Sequence, residues 1–204
     1  HRAGATDAAV QVVMFTDYQC PDCRRLEGQM DAILHERDDV SLAIKHFPLC
    51  APCNEYMNGR TIHGNACWAA RASEAAAILG GEDAFWRMHR WLFERRGSFT
   101  DATFPGDLRA LGFDSQQFIT TMSSQQTMDL IRRDTDAASA LGVFYTPMVF
   151  INGVEYTWYL GDAGTLRRTI ELAAASPGAI TAPPVADEKL FEDWRLAQPR
   201  RMPG

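Results

Sequence analysis

No apolar run in this 204-residue chain approaches the roughly 18 residues that a membrane span requires; the strongest candidates are Val10 to Phe15 and Met148 to Ile151. A transmembrane helix within these residues is therefore excluded. Basic charge is also in short supply. Lys and Arg number 20 against 26 Asp and Glu, a formal net charge of −6, and no basic stripe of the kind that phosphate backbones select is present. Nucleic acid is thus not expected as a partner. Internal repeats are missing, which argues against a solenoid. What the chain does have is 46% hydrophobic and 10% aromatic residues, enough for a sizeable core and too many for a disordered or collagen-like protein. The length fits one domain with an embedded subdomain. The first residue is His1 rather than Met, so a signal peptide or membrane anchor in a longer precursor stays open.

The five cysteines, at 20, 23, 50, 53 and 67, form two C-x2-C pairs and a single. A four-cysteine zinc ribbon places its pairs about 15 to 20 residues apart. Here 26 residues separate Cys23 from Cys50, and the ribbon loses ground. The flanking sequence says more. Val10 to Phe15 is apolar and rich in β-branched residues, as a buried strand is, and Cys20 follows five residues later. Leu26, Met30, Ile33 and Leu34 then recur at helical spacing, with Pro21 suited to the first turn. Strand, turn, thiols and helix in that order put Cys20 at a helix N-terminus, where unpaired N–H groups and the helix dipole favour a thiolate. Cys23, one turn further in, is placed to attack a mixed disulfide at Cys20. A static disulfide or half of a metal site is the competing reading.

Far downstream, Tyr145-Thr146-Pro147 leads into the apolar Met148-Val149-Phe150-Ile151, closed by an Asn152-Gly153 turn. Together with Phe15 to Arg24 and His46-Phe47-Pro48-Leu49, this resembles the DsbA-like branch of the thioredoxin superfamily, the thiol:disulfide oxidoreductases of bacterial envelopes. The resemblance spans about Val10 to Ala175. It implies an α/β thioredoxin fold with an inserted helical subdomain, in the order βαβ, helices, ββα. It further implies that Cys20, Cys23 and a cis-Pro147 form the catalytic set, while Thr146, Pro21 and Asp22 contact a client peptide laid alongside as an extra strand. Helices are expected over Ala66 to Leu79, stopped by Gly80-Gly81, then after Asp83 with Phe85, Met88, His89 and Leu92 on one face. Others are expected at Phe104 to Leu111, Ser115 to Met122, Gln126 to Leu141 and Asp162 to Ala174. Residues 1–9 read as an N-terminal extension, 10–180 as the thioredoxin-like domain with its insertion at about 61–141, and 181–204 as a tail or linker with one short helix at Glu188 to Leu196.

Cys50, Cys53 and Cys67 exceed the minimal pattern. With His63 and Asn65 they resemble a subgroup of DsbA-like domains found beside vitamin K epoxide reductase-like membrane proteins. That resemblance implies a structural disulfide Cys53–Cys67, closing a loop of about 15 residues and contributing roughly 3 kcal/mol. Two alternatives stand beside it: a zinc site from Cys50, Cys53, His63 and Cys67, and a second redox pair Cys50–Cys53.

Asp22 opposes a Cys20 thiolate by like charge, whereas Arg24, Arg25 and the helix terminus favour it, so the sign of the sum cannot be read from sequence. Strongly oxidising DsbA proteins commonly carry His at that position, which points to a milder oxidant here. Asp17 reads as a turn-forming residue rather than a proton relay. Met14 stands where many thioredoxin-like proteins place a buried acid. His46, His63 and His89 read as structural, and Phe85, Trp86, Trp91 and Phe93 as core. The expected function is disulfide formation or exchange in exported proteins, without cofactor or metal. Reduction or isomerisation is the nearest alternative, and a metal-binding thiol protein the more distant one. Partners are cysteine-containing clients and a quinone-linked membrane protein of the vitamin K epoxide reductase-like or DsbB-like kind. The compartment is periplasmic or extracytoplasmic, with membrane tethering of a longer precursor also considered.

Overall fold

The computed structural model of the protein describes residues 1–99, 102–156 and 164–175. The elements run β1 (Arg2–Ala3), β2 (Val10–Thr16), α1 (Pro21–Glu36), β3 (Val40–His46), α2 (Ala66–Glu94), α3 (Phe104–Ala110), α4 (Ser115–Met122), α5 (Gln125–Ala140), β4 (Met148–Ile151), β5 (Val154–Tyr156) and α6 (Thr165–Ala175). Short 3-10 turns occupy Ala51–Cys53 and Glu55–Met57. The expected succession is present with one addition, β1, in a stretch whose two paired residues are too few to show any period. Of the last expected helix, Asp162 lies outside the described residues, as does the tail with its short helix.

The chain divides into two compact units. One comprises residue 1, residues 16–24 and residues 46–146; the other comprises residues 2–15, 25–45 and, of the described remainder, 147–156 and 164–175.

The second unit is built on the sheet, whose strand order is β1-β3-β2-β4-β5. β2 and β4 pair antiparallel with Val12 opposite Ile151 and Phe15 opposite Met148. All four residues of β4 are buried, as a central strand covered on both faces requires. Asn152 (φ 47°) and Gly153 (φ 80°) are both left-handed, the geometry a two-residue hairpin of the type I′ class needs, and Asn-Gly is the pair that tolerates it. Asn152 Oδ1 also accepts the Gln11 N–H at 2.8 Å, which fixes the turn against the start of β2. In α1 Leu26, Met30 and Ile33 of the expected stripe are fully buried, whereas Leu34 is half-buried.

The first unit is helical. Its core joins Tyr18, Cys20 and Cys23 to Met88, Leu92, Phe93, Phe104, Leu108 and Phe118. Each buried aromatic of this kind contributes roughly 1.5 to 3 kcal/mol by leaving water. Trp68 stacks on Phe99 with ring centroids 5.2 Å apart, anchoring the segment that follows α2. α2 is broken where the glycine pair predicts a stop, at Gly80 (φ −145°) and Gly81 (φ 70°, ψ −162°). A Cβ at Gly80 would approach Ala84 Cβ to 2.7 Å, so only glycine allows the second half of the helix to begin there. The face Phe85, Met88, His89 and Leu92 beyond the break is fully buried.

Candidate active site

Asp17 shapes the turn between β2 and α1. Its carbonyl accepts the Cys20 N–H at 3.1 Å and its Oδ1 the Gln19 N–H at 2.7 Å. Its Oδ2 accepts the Leu49 N–H at 2.8 Å and the Nδ1–H of His63 at 2.9 Å. A carboxylate with no exposed surface is thus spent on holding the turn, which is why an acid is tolerated there. The hydrogen bond to Asp17 raises the pKa of His63, with the neighbouring Cys20 thiolate adding to it.

Cys20 directly precedes the first residue of α1, facing that helix's unsatisfied N–H groups. It is 6% exposed, against 0% for Cys23. Its Sγ lies 3.5 Å from the carbonyl oxygen of Thr146. The Cys23 thiol donates to it and is the largest influence on its acidity; burial opposes ionisation, and the backbone N–H groups of Cys23 and Asp22 oppose burial. The Thr146 side chain adds a further, smaller influence in the same direction. The sum brings Cys20 from 9.0 down to about 6. Exposed Asp22 does not prevent this, because donors in direct contact outweigh a solvated charge. Burial pushes Cys23 in the opposite direction, well above the ordinary thiol range, and the Cys20 thiolate pushes it further. One thiol is thus ionised and reachable while its partner is protonated and enclosed, the asymmetry that a nucleophile and a resolving thiol need.

Residues 11–168 match the family described as DSBA-like thioredoxin domain. The chain belongs to that family. Its fold is that of the DsbA-like thiol:disulfide oxidoreductases. Among solved structures it is similar to oxidised BdbD from Bacillus subtilis, at TM-score 0.67 and 22% identity, covering 86% of this chain and 92% of that one. It is likewise similar to Proteus mirabilis ScsC in a transitional conformation, at TM-score 0.67 and 22% identity over 85% of this chain and 72% of that one. These likenesses show the thioredoxin-like fold with its helical insertion. A curated relative, Na(+)/H(+) antiporter NhaA 1 of Mycolicibacterium vanbaalenii, is 32% identical over 176 residues, 84% of this chain. The chain spans about a quarter of that relative's length, 26%. No described helix is long and apolar enough to cross a membrane.

In this DSBA-like domain the remaining cysteines do not gather as a zinc site. Cys53 and Cys67 are joined in a disulfide with Cα atoms 5.7 Å apart. Cys50 stays free and buried, its Sγ 3.8 Å from the Gly64 carbonyl, and His63 is engaged by Asp17. Nor is Cys50 bonded to Cys53, as a second redox pair would be. Replacing Cys53 and Cys67 together by Ala is expected to cost roughly 3 kcal/mol in urea unfolding, the entropy of a loop of about 15 residues. Thiol counting on the oxidised protein in denaturant should find Cys50 alone reactive; close to one equivalent of tightly bound zinc would overturn the pairing.

The side chains of His46, Glu74 and Asp134 do meet, with donor atoms within 4.8 Å of one another. His46 Nε2–H donates to Glu74 at 2.9 Å, and the His46 N–H donates to Asp134 at 3.0 Å. His1 Nε2 approaches Glu74 at 3.2 Å, its ring stacked on Phe85 at 3.7 Å. Burial opposes ionisation of Glu74, but the two imidazoles outweigh it and hold the carboxyl at about 2. Of the three histidines read as structural, His46 and His63 bond buried carboxylates and His89 bonds the Tyr18 hydroxyl at 2.9 Å. The contact of His63 with Asp17 crosses 46 residues and carries no sequence signature.

Proposed function

We propose that this DSBA-like domain acts as an oxidant, forming disulfides in exported proteins with Cys20 as the sulfur that the client attacks and the thiolate finally released, Cys23 as the thiol that leaves when the pair opens, and Pro147 as the client-aligning residue. The observation that carries it is Cys20 held at about 6, beside the carbonyl of the residue that precedes Pro147. A client thiolate attacks Sγ of Cys20 in the oxidised pair, and Cys23 leaves with the bonding electrons and takes a proton. The client's second thiolate then attacks the client sulfur of the mixed disulfide and expels Cys20 as a thiolate. Two electrons pass from client to domain. Thr146, Pro21 and Asp22 flank this path and serve as client-contacting positions, the Thr146 backbone offering strand-like hydrogen bonds.

The thiolate supports the oxidant direction. At pH 7 a thiol at about 6 rather than 9.0 stabilises the reduced domain by roughly 1.4 kcal/mol, about 30 mV for two electrons. A more stable reduced form is a stronger oxidant. Asp22 tempers it, so Asp22→His is expected to raise the reduction potential, measured in glutathione buffers, by some tens of mV. An unchanged or lower potential would contradict the electrostatic argument. Oxidative refolding of a reduced client by stoichiometric oxidised domain tests the function; a domain that reduces insulin but does not oxidise the client belongs instead to the reductase reading.

Turnover requires reoxidation. A quinone-linked membrane protein of the vitamin K epoxide reductase-like or DsbB-like kind is our proposed partner, in a periplasmic or otherwise extracytoplasmic space. The Cys53–Cys67 disulfide supports an oxidising compartment. The membrane proteins among its curated relatives support tethering at a membrane surface.

A further inference from the structure

Tyr18, Gln19, Cys20, Pro21, Arg24 and Arg96 line a cavity of about 230 Å³. Two of the six are arginines, brought there by different means. Arg24 stands one helical turn beyond Cys20, its N–H donating to the Cys20 carbonyl at 3.2 Å, so the two side chains share a face of α1. Arg96 comes from the segment after α2, where it and Gly97 take left-handed φ values of 54° and 79°. For an arginine that conformation costs on the order of 1 kcal/mol, so something must hold the turn in it. A Cβ at Gly97 would lie 3.2 Å from the Gln19 side chain, so this turn is laid close against the residue preceding Cys20.

The neighbouring guanidinium shows what compensation looks like here. Arg95 bonds Asp107 at 2.5 Å and covers Trp91 at 4.9 Å. Arg24 and Arg96 have no ion-pair partner among the described residues, and Asp22 does not line the cavity. Two guanidinium groups without an ion-pair partner among the described residues thus line the cavity at the reactive sulfur, in a chain whose net charge is −6. A concave site lined by one sign of charge draws in the opposite sign and binds carboxylates through paired N–H donors. In the oxidised domain Cys20 carries no charge, so both cations face whatever approaches it.

We infer that this cavity is a subsite for client carboxylates, selecting cysteines that have Asp or Glu beside them in the client sequence. The volume fits one or two side chains and falls short of the ~300 Å³ at which pockets for free small ligands begin. A peptide whose sulfur meets Cys20 has its flanking side chain at the cavity mouth. The inference rests on the oxidant reading above.

The test uses the oxidised domain and three dithiol peptides that differ only in having Glu, Gln or Lys next to the attacking cysteine. Each rate is divided by that peptide's rate with a neutral disulfide reagent, which removes the effect of the flanking charge on the thiol itself. At low ionic strength the Glu peptide is expected to exceed the Lys peptide by about tenfold, shrinking towards unity near 1 M salt. In the double variant Arg24→Gln/Arg96→Gln the Glu-to-Lys ratio should fall close to one. The ratio is insensitive to any uniform change in Cys20 acidity that the variant brings. Equal rates, or a preference for Lys, in the unmodified domain overturn the inference. A ratio that persists in the double variant overturns its assignment to these arginines. Failure of all three peptides to react would instead sink the oxidant reading beneath it.

Discussion

Replacing Cys20 by Ser is expected to lower the rate of client oxidation by roughly three orders of magnitude or more, because the group attacked by the client and released as a thiolate is gone. Cys23→Ser should behave differently. Its Cys20 thiolate can attack the disulfide of an oxidised client, expelling the client's other sulfur as a thiolate, but no Cys23 thiol is present to release the adduct, so with disulfide-bonded clients covalent adducts accumulate on non-reducing gels. The contrast follows from Cys20 at about 6 and Cys23 well above the ordinary thiol range. Equal loss of adducts in both variants, with folding intact by circular dichroism, would remove the assignment of nucleophile and resolving thiol.

The second large effect lies away from the sulfurs. Glu74 is 4% exposed, contacts His46 and His1, and is held at about 2 against an ordinary 4.5. A depressed carboxyl contributes stability above its unfolded pKa and loses it as pH falls through the folded one. The contribution is of the order of 3 kcal/mol, fully present above about pH 5 and lost towards pH 2. Glu74→Gln is expected to lower the melting temperature at neutral pH by roughly 6 to 12 °C for a chain of this size. The gap to the wild type should close on acidification below about pH 4.5. His1 bounds the effect on the alkaline side: its raised pKa means that its share, present below 6.5, fades as pH rises through the folded value. Urea unfolding from pH 3 to 8 on both proteins reads this directly. Parallel curves would show that the carboxylate is not what the network depends on.

Much of the fold is legible because its signals are local. The period of Leu26, Met30 and Ile33 defines α1, the glycine pair marks the break in α2, and Asn152-Gly153 turns the last hairpin, each through the conformational limits of a few adjacent residues. β1 escapes because two residues at a sheet edge show no periodicity. At the site, Cys20, Cys23, Thr146 and Pro147 stand out through residue type and spacing. His63 on Asp17, His1 on Glu74 and Arg96 at the cavity do not, since each meets residues 46 to 78 positions away, depending on the pair, and nothing in its own neighbourhood announces the contact.

The sequence by itself determined a strand delivering a thiol pair to a helix tip, the succession of elements and the residues able to carry exchange chemistry, because chain stereochemistry and hydrophobic period act over a few residues. Only the tertiary structure decided which cysteines pair, that Cys20 is the more acidic thiol despite Asp22, and that two arginines without counter-ions among the described residues line the cavity at its sulfur. Those outcomes depend on desolvation and on distances between groups far apart in the chain, and neither quantity exists until the core has formed.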